Sequence, residues 1–435
     1  MKLHTFANQG RLWLSAGLAV VLAACASMDV GAAKTAWPTK ADVTTAPAGF
    51  TASGLQTLDA RMKEAVDKGE VSGLEYALIK DGKVVAFNTF GAQAYNGPPM
   101  KEDSIFRIRS MTKPITGVAM MQLWEQGKWK PEDPVTKFLP ELGSLKVATS
   151  ADNLDSLVPV KRTPIMNEIM THTAGFGYGL SASNAVDRAF IAQHPMNEKD
   201  LNALVKRTAE IPLLAQPGER WSYSIVVDLQ GAIIEKITGK KFGDYLEENI
   251  FSPLAMKDTG FWLTEADRPR VATVYSRNAK TNTFDAIEDK NSFTHDFYTA
   301  RSQAESGGGG LVSTLHDYVR FTQMLLNRGE LDGKRILKPE TVDYMMSNHI
   351  GDLKGVIGGG AFGYGGMVVV GEPTERAPQP KGTFSWFGID GTWFWVDPAN
   401  KISFVGMIQR RGPAGPGGID VRGESAQLVY KALAK

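Results

Sequence analysis

The chain has 435 residues, 43% hydrophobic and 22% charged, and its 48 basic and 47 acidic residues leave a net charge of +1. This composition predicts a globular protein with a sizeable core, in one large domain or two smaller ones. The balanced charge argues against nucleic acid or another polyanion as a partner. The six histidines lack zinc-site spacing, and no P-loop or G-x-S-x-G motif occurs, so we expect neither a metal nor an organic cofactor.

The N-terminus has the pattern of an export signal. Lys2 and Arg11 precede an apolar stretch, Leu12 to Ala24, that is too short to span a membrane. It ends at Cys25, the only cysteine of the chain, in a sequence that resembles a bacterial lipobox. Ordinary signal-peptide cleavage and a buried free thiol remain alternatives. We predict a lipoprotein signal peptide over residues 1–25, a flexible tether over 26–49 and a folded domain over 50–435.

Localisation follows from this signal. A lipidated Cys25 would place the protein on the periplasmic side, attached to the membrane through lipid alone. Ala26 follows the cysteine in place of the aspartate that favours retention in the inner membrane. We therefore expect the outer membrane in a Gram-negative host. The sequence leaves the oligomeric state open.

The domain begins with a helix and a hairpin and ends with strands and a helix. Leu55, Leu58 and Met62 mark one helical face, and Asp81-Gly82 is a two-residue turn between predicted strands. Further strands are predicted at Met367–Val370, Gly382–Trp386, Thr392–Val396 and Ile402–Ile408, before a helix from about Glu424 to Leu433. The middle, about 112 to 350, is mostly helical. We predict an α+β fold in which N- and C-terminal strands share one antiparallel sheet flanked by helices.

Ser110-Met111-Thr112-Lys113 is the most informative motif. It places a hydroxyl and an ammonium three residues apart at the predicted start of a helix, so that Lys113 can reach back to Ser110. A serine becomes a nucleophile when a neighbouring group takes its proton. The alternative is a helix cap, but no other S-x-x-K occurs in the chain. We predict Ser110 as the nucleophile.

Several ordered motifs over residues 50 to 435 resemble those of the serine β-lactamase-like hydrolases. This family includes class C β-lactamases, DD-peptidases and, most similar here, family VIII carboxylesterases. The motifs are Ser110–Lys113 after Phe106-Arg107-Ile108-Arg109, Thr171-His172-Thr173-Ala174-Gly175, the segment Gln216–Ser224 with Asp228 beyond it, Gly307–Leu311, and Trp386-Phe387-Gly388.

The resemblance implies roles for individual residues. Tyr223 matches the family's catalytic tyrosine, and the Lys113 ammonium would favour its phenolate form, which takes the Ser110 proton. The backbone N–H groups of Ser110 and Ile389 are candidate oxyanion donors, since Ile389 follows Gly388. His172 is expected to be hydrogen-bonded scaffold. His349-Ile350-Gly351 is a rival third motif, which we interpret as a helix end.

Two departures from the family pattern bear on the substrate. Ile225 stands where the β-lactamases and peptidases have asparagine, and Trp386-Phe387-Gly388 stands where they have Lys-Thr-Gly. Losing these polar groups and gaining an apolar rim at Trp386 favours a carboxylesterase for small, short-chain esters. The alternatives are a class C-like β-lactamase, a DD-peptidase or penicillin-binding lipoprotein, and a catalytically silent surface protein.

Overall fold

The computed structural model describes residues 36–45, 48–287 and 304–434. Its α-helices are α1 (Ala52–Asp67), α2 (Thr112–Glu125), α3 (Met166–Thr171), α4 (Ala185–Gln193), α5 (Leu201–Ala209), α6 (Val226–Thr238), α7 (Phe242–Leu246), α8 (Ser252–Leu254), α9 (Leu315–Leu326), α10 (Pro339–Met345) and α11 (Val421–Ala432). None of the helices in these ranges is long and apolar enough to cross a bilayer.

The strands are mostly short. They are β1 (Gly73–Lys80), β2 (Lys83–Gly91), β3 (Phe106–Arg107), β4 (Lys146–Ala148), β5 (Leu157–Pro159), β6 (Tyr275–Arg277), β7 (Phe284–Ala286), β8 (Val312–Ser313), β9 (Glu330–Leu331), β10 (Lys334–Arg335), β11 (Ala361–Phe362), β12 (Met367–Val368), β13 (Phe384–Phe387), β14 (Trp393–Asp397), β15 (Ile402–Met407) and β16 (Arg410–Arg411).

A seven-stranded sheet joins the two ends of the domain. Its order is β2-β1-β15-β14-β13-β12-β11, and each neighbouring pair is antiparallel. In the centre, Tyr76 of β1 lies opposite Asn88 of β2 on one side and opposite Gly406 of β15 on the other. The predicted α+β fold, with one sheet shared by N- and C-terminal strands, is confirmed.

Local sequence explains the first hairpin. Asp81 and Gly82 both have positive φ values, 51° and 73°, as a two-residue turn that matches the twist of its strands requires. Along β1 the side chains alternate between the two faces of the sheet. Leu74, Tyr76 and Leu78 belong to the hydrophobic cluster that α1 and α11 cover.

Helices cover both faces of the sheet. Trp395 and Phe404 stack with ring centroids 4.3 Å apart in the cluster under α1 and α11. On the opposite face α9 packs, where Tyr318 lies 5.4 Å from the ring of Phe394. The burial of both faces explains why β14 and β15 are apolar along nearly their whole length instead of alternating.

The middle of the chain is largely helical, as predicted, and carries short strand pairs in addition. Helix α2 is buried along almost all of its length, which is the pattern of a helix surrounded by other elements. Strand β3 pairs with β8, and the chain then enters a 3₁₀ turn at Arg109–Met111 that continues directly into α2. The pairing of β3 with β8 therefore fixes the position at which α2 begins.

The boundary predicted near Phe50 is too late. The fold begins at Pro38, and Thr44 N–H donates to the Val84 carbonyl of β2 at 2.9 Å. The C-terminal end of the predicted tether, residues 26–49, is therefore partly ordered against the domain. The predicted signal peptide, with Cys25, lies outside the described residues.

Candidate active site

Ser110 and Lys113 meet at the start of α2. Ser110 is half-buried in the 3₁₀ turn, and Lys113, one helical turn further on, is fully buried. The Lys113 ammonium donates to Ser110 Oγ at 3.5 Å and to the carbonyl of Gly308 at 2.7 Å. The i, i+3 spacing therefore produces the contact that the sequence predicts. Pro114 occupies the first turn of the helix, where a missing N–H costs little.

Tyr223 completes a three-residue cluster. Its hydroxyl donates to Ser110 Oγ at 2.7 Å, and the Lys113 ammonium lies 4.5 Å from the centroid of its ring. The segment before α6 that carries Tyr223 is bound to the chain around His172. Ser222 N–H donates to the His172 carbonyl at 2.9 Å, and Ile225 N–H donates to the Gly177 carbonyl at 3.1 Å. These bonds on both sides of Tyr223 fix its direction.

His172 packs against Tyr223 and binds the segment that carries it. It ends α3 in the left-handed region, at φ 62°, and is fully buried. Its Nδ1 accepts from Ser224 N–H at 3.1 Å, and its ring lies 5.0 Å from that of Tyr223. Burial, with the positive charge of Lys113, holds the pKa of His172 well below its usual value, so the ring is neutral with its proton on Nε2. The expectation of a hydrogen-bonded scaffold agrees with this geometry.

Tyr178 belongs to the site although sequence reasoning did not select it. Its hydroxyl accepts from the Lys113 ammonium at 3.3 Å, and its ring packs edge-on against that of Tyr223, with centroids 5.4 Å apart. Burial and the nearby Asp228 carboxylate raise the pKa of Tyr178 well above its usual value, so that its hydroxyl stays protonated. The signal in the sequence was its position three residues after Gly175, in the loop that leaves His172.

Asp228 lies behind Lys113. Its Oδ1 accepts from Ser306 Oγ at 2.6 Å and from Gly308 N–H at 3.0 Å, and its side chain is fully buried. Burial raises its pKa, and the charge of Lys113 opposes this increase. A Cβ atom on Gly308 would lie 2.5 Å from the Tyr178 hydroxyl and 2.6 Å from Asp228 Oδ2. Only glycine fits at position 308, so this part of the Gly307–Gly310 run serves close backbone packing.

The third motif brings the end of β13 against the nucleophile's segment. Gly388 N–H donates to the Thr392 carbonyl at 2.7 Å, and a Cβ atom on Gly388 would lie 2.5 Å from the carbonyl oxygen of Ile108. Within the described ranges, the backbone N–H of Ile389 has no acceptor, and its side chain is 50% exposed. The Ile389 N–H is therefore available as an oxyanion donor.

Trp386 lies deeper than predicted. It is 3% exposed, with ring centroids 5.6 Å from Tyr223 and 5.3 Å from Phe362. Its alternation along β13 turns it inward, so it forms an interior wall of the site instead of an apolar rim. The rival His349 lies just after α10, where its Nε2 contacts the Tyr344 carbonyl at 2.6 Å. Helix α10 itself ends at Met345, and His349 lies in the segment that follows the helix end.

The cluster can perform proton transfer to and from a serine hydroxyl. Ser110 Oγ has a hydroxyl partner at hydrogen-bonding distance and a buried ammonium within 3.5 Å, the arrangement that activates a nucleophile. Among the residues that the structure describes, no group of three or more His, Cys, Asp or Glu side chains is placed to hold a metal ion.

Comparison with known proteins assigns the chain to a family. The family model for Beta-lactamase matches residues 58–427. Protein Rv1367c of Mycobacterium tuberculosis is 33% identical over 367 residues, 80% of this chain and 88% of the relative. Esterase EstB of Burkholderia gladioli is 30% identical over 369 residues, 81% of this chain and 90% of EstB.

A solved structure has the same fold. EstCE1, described as a hydrolase with promiscuous acyltransferase activity, superposes with a TM-score of 0.72 at 24% identity, over 88% of this chain and 99% of its own. The family match spans the segments that carry Ser110, Tyr223 and Trp386. The chain is therefore an enzyme of the beta-lactamase family, a class of serine hydrolases.

Proposed function

We propose that the protein is a carboxylesterase that hydrolyses small, short-chain esters through an acyl-enzyme on Ser110. The observation that carries this proposal is the 2.7 Å contact between Ser110 Oγ and the Tyr223 hydroxyl, beside the buried ammonium of Lys113. A serine with this pair of neighbours is equipped for acyl transfer.

The reaction has two halves. Tyr223, beside the Lys113 ammonium, acts as the general base that takes the Ser110 proton while Oγ attacks the ester carbonyl. The N–H groups of Ser110 and Ile389 stabilise the oxyanion. When the tetrahedral intermediate collapses, the bond to the alcohol breaks and Tyr223 returns the proton to the leaving oxygen. Water then attacks the acyl-enzyme in the same way, which releases the acid and restores the Ser110 hydroxyl.

The surroundings of Ser110 support an ester over a lactam. Ile225, two residues after Tyr223, is fully buried and offers no side-chain hydrogen bond. The rings of Trp221 and Phe362 lie 5.8 Å and 5.2 Å from that of His172, and Trp386 extends this aromatic wall to Tyr223. Such a wall buries apolar carbons and has no cation for the carboxylate of a penicillin.

The test is Ser110→Ala against a panel of p-nitrophenyl esters, with nitrocefin alongside. We expect ester hydrolysis to fall to background, because the residue that forms the acyl-enzyme is gone. The matched control is Ser403→Ala, another buried serine, on β15, which should keep its activity. Labelling with a fluorophosphonate should disappear in parallel in Ser110→Ala. Full ester turnover in that variant would remove Ser110 from the mechanism.

Three other outcomes belong to the same site. If nitrocefin, or labelling by a fluorescent penicillin, outpaces every ester, the protein is a β-lactamase or a DD-peptidase-like penicillin-binding protein. If an added alcohol diverts most of the acyl group into a new ester, the protein is an acyltransferase. The promiscuous acyltransferase activity of EstCE1 and the aromatic wall beside Ser110 favour this second activity. A missing fluorophosphonate label would indicate a silent member of the family.

We also propose that the chain is exported and anchored by lipid on Cys25, on the periplasmic side of the outer membrane in a Gram-negative host. The support is the short apolar segment that ends at the only cysteine. The lipid would be the sole membrane attachment.

A further inference from the structure

A buried ion pair connects the residue before the nucleophile with the residue after the proposed oxyanion donor. Arg109 precedes Ser110, and Asp390 follows Ile389. The Arg109 guanidinium donates through Nε to Asp390 Oδ2, and the two side chains are 6% and 0% exposed. Each member of the pair is therefore one peptide bond away from an N–H group assigned to the oxyanion hole.

The backbone of Arg109 has an unfavourable conformation that contacts with neighbouring residues must hold in place. Arg109 has φ 47°, a left-handed conformation that costs a non-glycine residue free energy unless its surroundings hold it there. The conformation turns the chain between strand β3 and Ser110, so it sets the direction of the Ser110 N–H. Pairing with Asp390 is one of the contacts that hold Arg109 in place.

Asp390 is the fixed centre of the pair. Its Oδ1 also accepts from Arg411 Nε at 2.7 Å, and its carbonyl accepts from Arg410 N–H at 2.8 Å. Burial alone would raise the pKa of Asp390, but Arg109 and Arg411 outweigh burial and hold the pKa below its usual value. The Asp390 carboxylate is therefore ionised across the pH range in which a serine esterase works. Its side chain is not accessible to solvent.

A second contact runs alongside the ion pair. The carbonyl of Ile108 accepts from Thr392 Oγ1 at 3.1 Å, next to the close approach of Gly388. The two segments, Ile108–Ser110 and Gly388–Thr392, are thus joined at two points, Asp390 and Thr392. The ion pair and the hydrogen bond from the Thr392 hydroxyl together restrict the separation of the two N–H groups.

We propose that Asp390, through Arg109, is a positioning residue that holds the Ser110 and Ile389 N–H groups in a converging arrangement around the oxyanion. This inference rests on the proposed acyl-transfer function. Asp390 touches neither the substrate nor Ser110 Oγ in this scheme. Its effect is confined to the step in which negative charge develops on the carbonyl oxygen.

The test compares an ester with its thionoester in Asp390→Asn. Sulfur fits a hole built for oxygen poorly, so an intact hole favours the oxoester strongly. We expect kcat on the oxoester to fall about 10- to 100-fold, as a small misplacement of a catalytic group does. The ratio of oxoester to thionoester kcat should fall about tenfold, while KM changes little. A purely structural loss would lower both rates equally.

The matched control is Asp332→Asn. Asp332 pairs at 2.6 Å with the buried Arg320 and lies in the β9–β10 hairpin, outside the site. This variant should lose stability but keep the kcat and the oxoester-to-thionoester ratio of the wild type. If Asp390→Asn behaves like this control, the proposal is overturned.

A second variant covers a failure to fold. Arg109→Lys keeps the charge but loses the planar guanidinium, and it should give an intermediate fall in the ratio. An unchanged ratio in folded Arg109→Lys would overturn the inference. Failure of the proposed function itself gives a different result, because Ser110→Ala would then retain ester turnover whatever Asp390 does.

Discussion

The buried ammonium of Lys113 is the most demanding group in the site. Removing an ammonium from water is costly unless other groups replace its hydration. Here the Gly308 carbonyl and the Tyr178 hydroxyl accept its hydrogen bonds, and two tyrosine rings lie within 5.0 Å of it. The fully buried Asp228 carboxylate interacts electrostatically with Lys113. It also accepts a hydrogen bond from the N–H of Gly308, the residue whose carbonyl binds the ammonium. The arrangement keeps a cation next to Ser110 without exposing it to water.

Tyr223→Phe isolates the hydroxyl of this residue. The ring contacts with His172 and Trp386 remain, and only the 2.7 Å contact with Ser110 is lost. We expect kcat on esters to fall about 10²- to 10⁴-fold, the range for removing a general base, with an unchanged melting temperature. The control is Tyr430→Phe in α11, which loses a hydroxyl contact with Asp397 and should remain active. A Tyr223→Phe enzyme of normal kcat would exclude the hydroxyl from proton transfer.

Trp386→Phe tests the interior wall. The smaller ring leaves space beside Tyr223, so longer acyl chains lose apolar contact at about 0.8 kcal/mol for each CH₂ group left unburied. We expect the ratio of kcat/KM for butyrate over acetate esters to fall about threefold to tenfold by the same relation. Trp393→Phe, in the cluster under α1 and α11, should lower stability and leave the ratio unchanged. Equal ratios in both variants would mean that Trp386 has no influence on chain length.

At the scale of elements, strand β1 carries a buried acid that the mechanism does not use. Glu75 is fully buried between Thr89 of β2 and Met407 of β15. Neither of its carboxylate oxygens has a hydrogen-bond partner among the described residues. Burial, with the nearby charges of Glu102 and Asp103, raises its pKa well above the usual 4.5. Glu75 is therefore protonated in the folded enzyme over a range in which the unfolded chain has ionised it.

This acid should make stability fall as the pH rises. The folded state binds one proton more than the unfolded state between pH 4.5 and the raised pKa, so unfolding becomes easier there by up to about 1.4 kcal/mol for each pH unit. Below pH 4.5 both states are protonated and the effect is absent.

Glu75→Gln, which imitates the protonated acid, tests this. Its free energy of unfolding in urea should exceed that of the wild type at pH 8, and the difference should shrink toward pH 4. Glu340→Gln is the control at an exposed acid of α10, and its difference from the wild type should stay constant across this range. A constant difference between Glu75→Gln and wild type across this range would contradict the linkage.

At the scale of the whole molecule, the features that could be predicted from the sequence are those that depend on residues close together in the chain or on the order of the segments. The Asp81-Gly82 turn, the paired strands at both chain ends and the i, i+3 contact of Ser110 with Lys113 depend on neighbouring residues, and the structure has all three. Contacts across the chain were not predictable. The contact between Arg109 and Asp390 joins positions 281 residues apart, and Tyr178 approaches Lys113 only because Gly308 leaves room.

Trp386 shows the same limit. Its identity indicated an apolar site, but its depth depends on which face of β13 meets Phe362. The start of the fold was misplaced for a related reason. A Thr-, Ala- and Pro-rich segment has the composition of a tether, and only its pairing with Val84 reveals that part of it belongs to the domain.

Lipid attachment at Cys25 is tested on the full-length chain. Wild type should fractionate with outer membranes and incorporate a radiolabelled fatty acid, because two or more acyl chains anchor a protein stably. Cys25→Ser should be found in the soluble fraction with the same ester turnover. Ser27→Ala, two residues further on, is the control and should stay in the membrane. Identical fractionation of Cys25→Ser and wild type would rule out the lipid anchor.

The sheet that unites both ends of the domain has a consequence for synthesis. Strand β1 leaves the ribosome early, but its central partner β15 is among the last segments to be made. The contact of Arg107 with Gln409, 302 positions away, must wait equally long. During this interval the hairpin presents an open edge that can pair with other chains, and late non-local pairing makes folding slow. A nascent chain stopped before residue 402 lacks β15, the strand that joins β1 to β14, so we expect no partial activity from it.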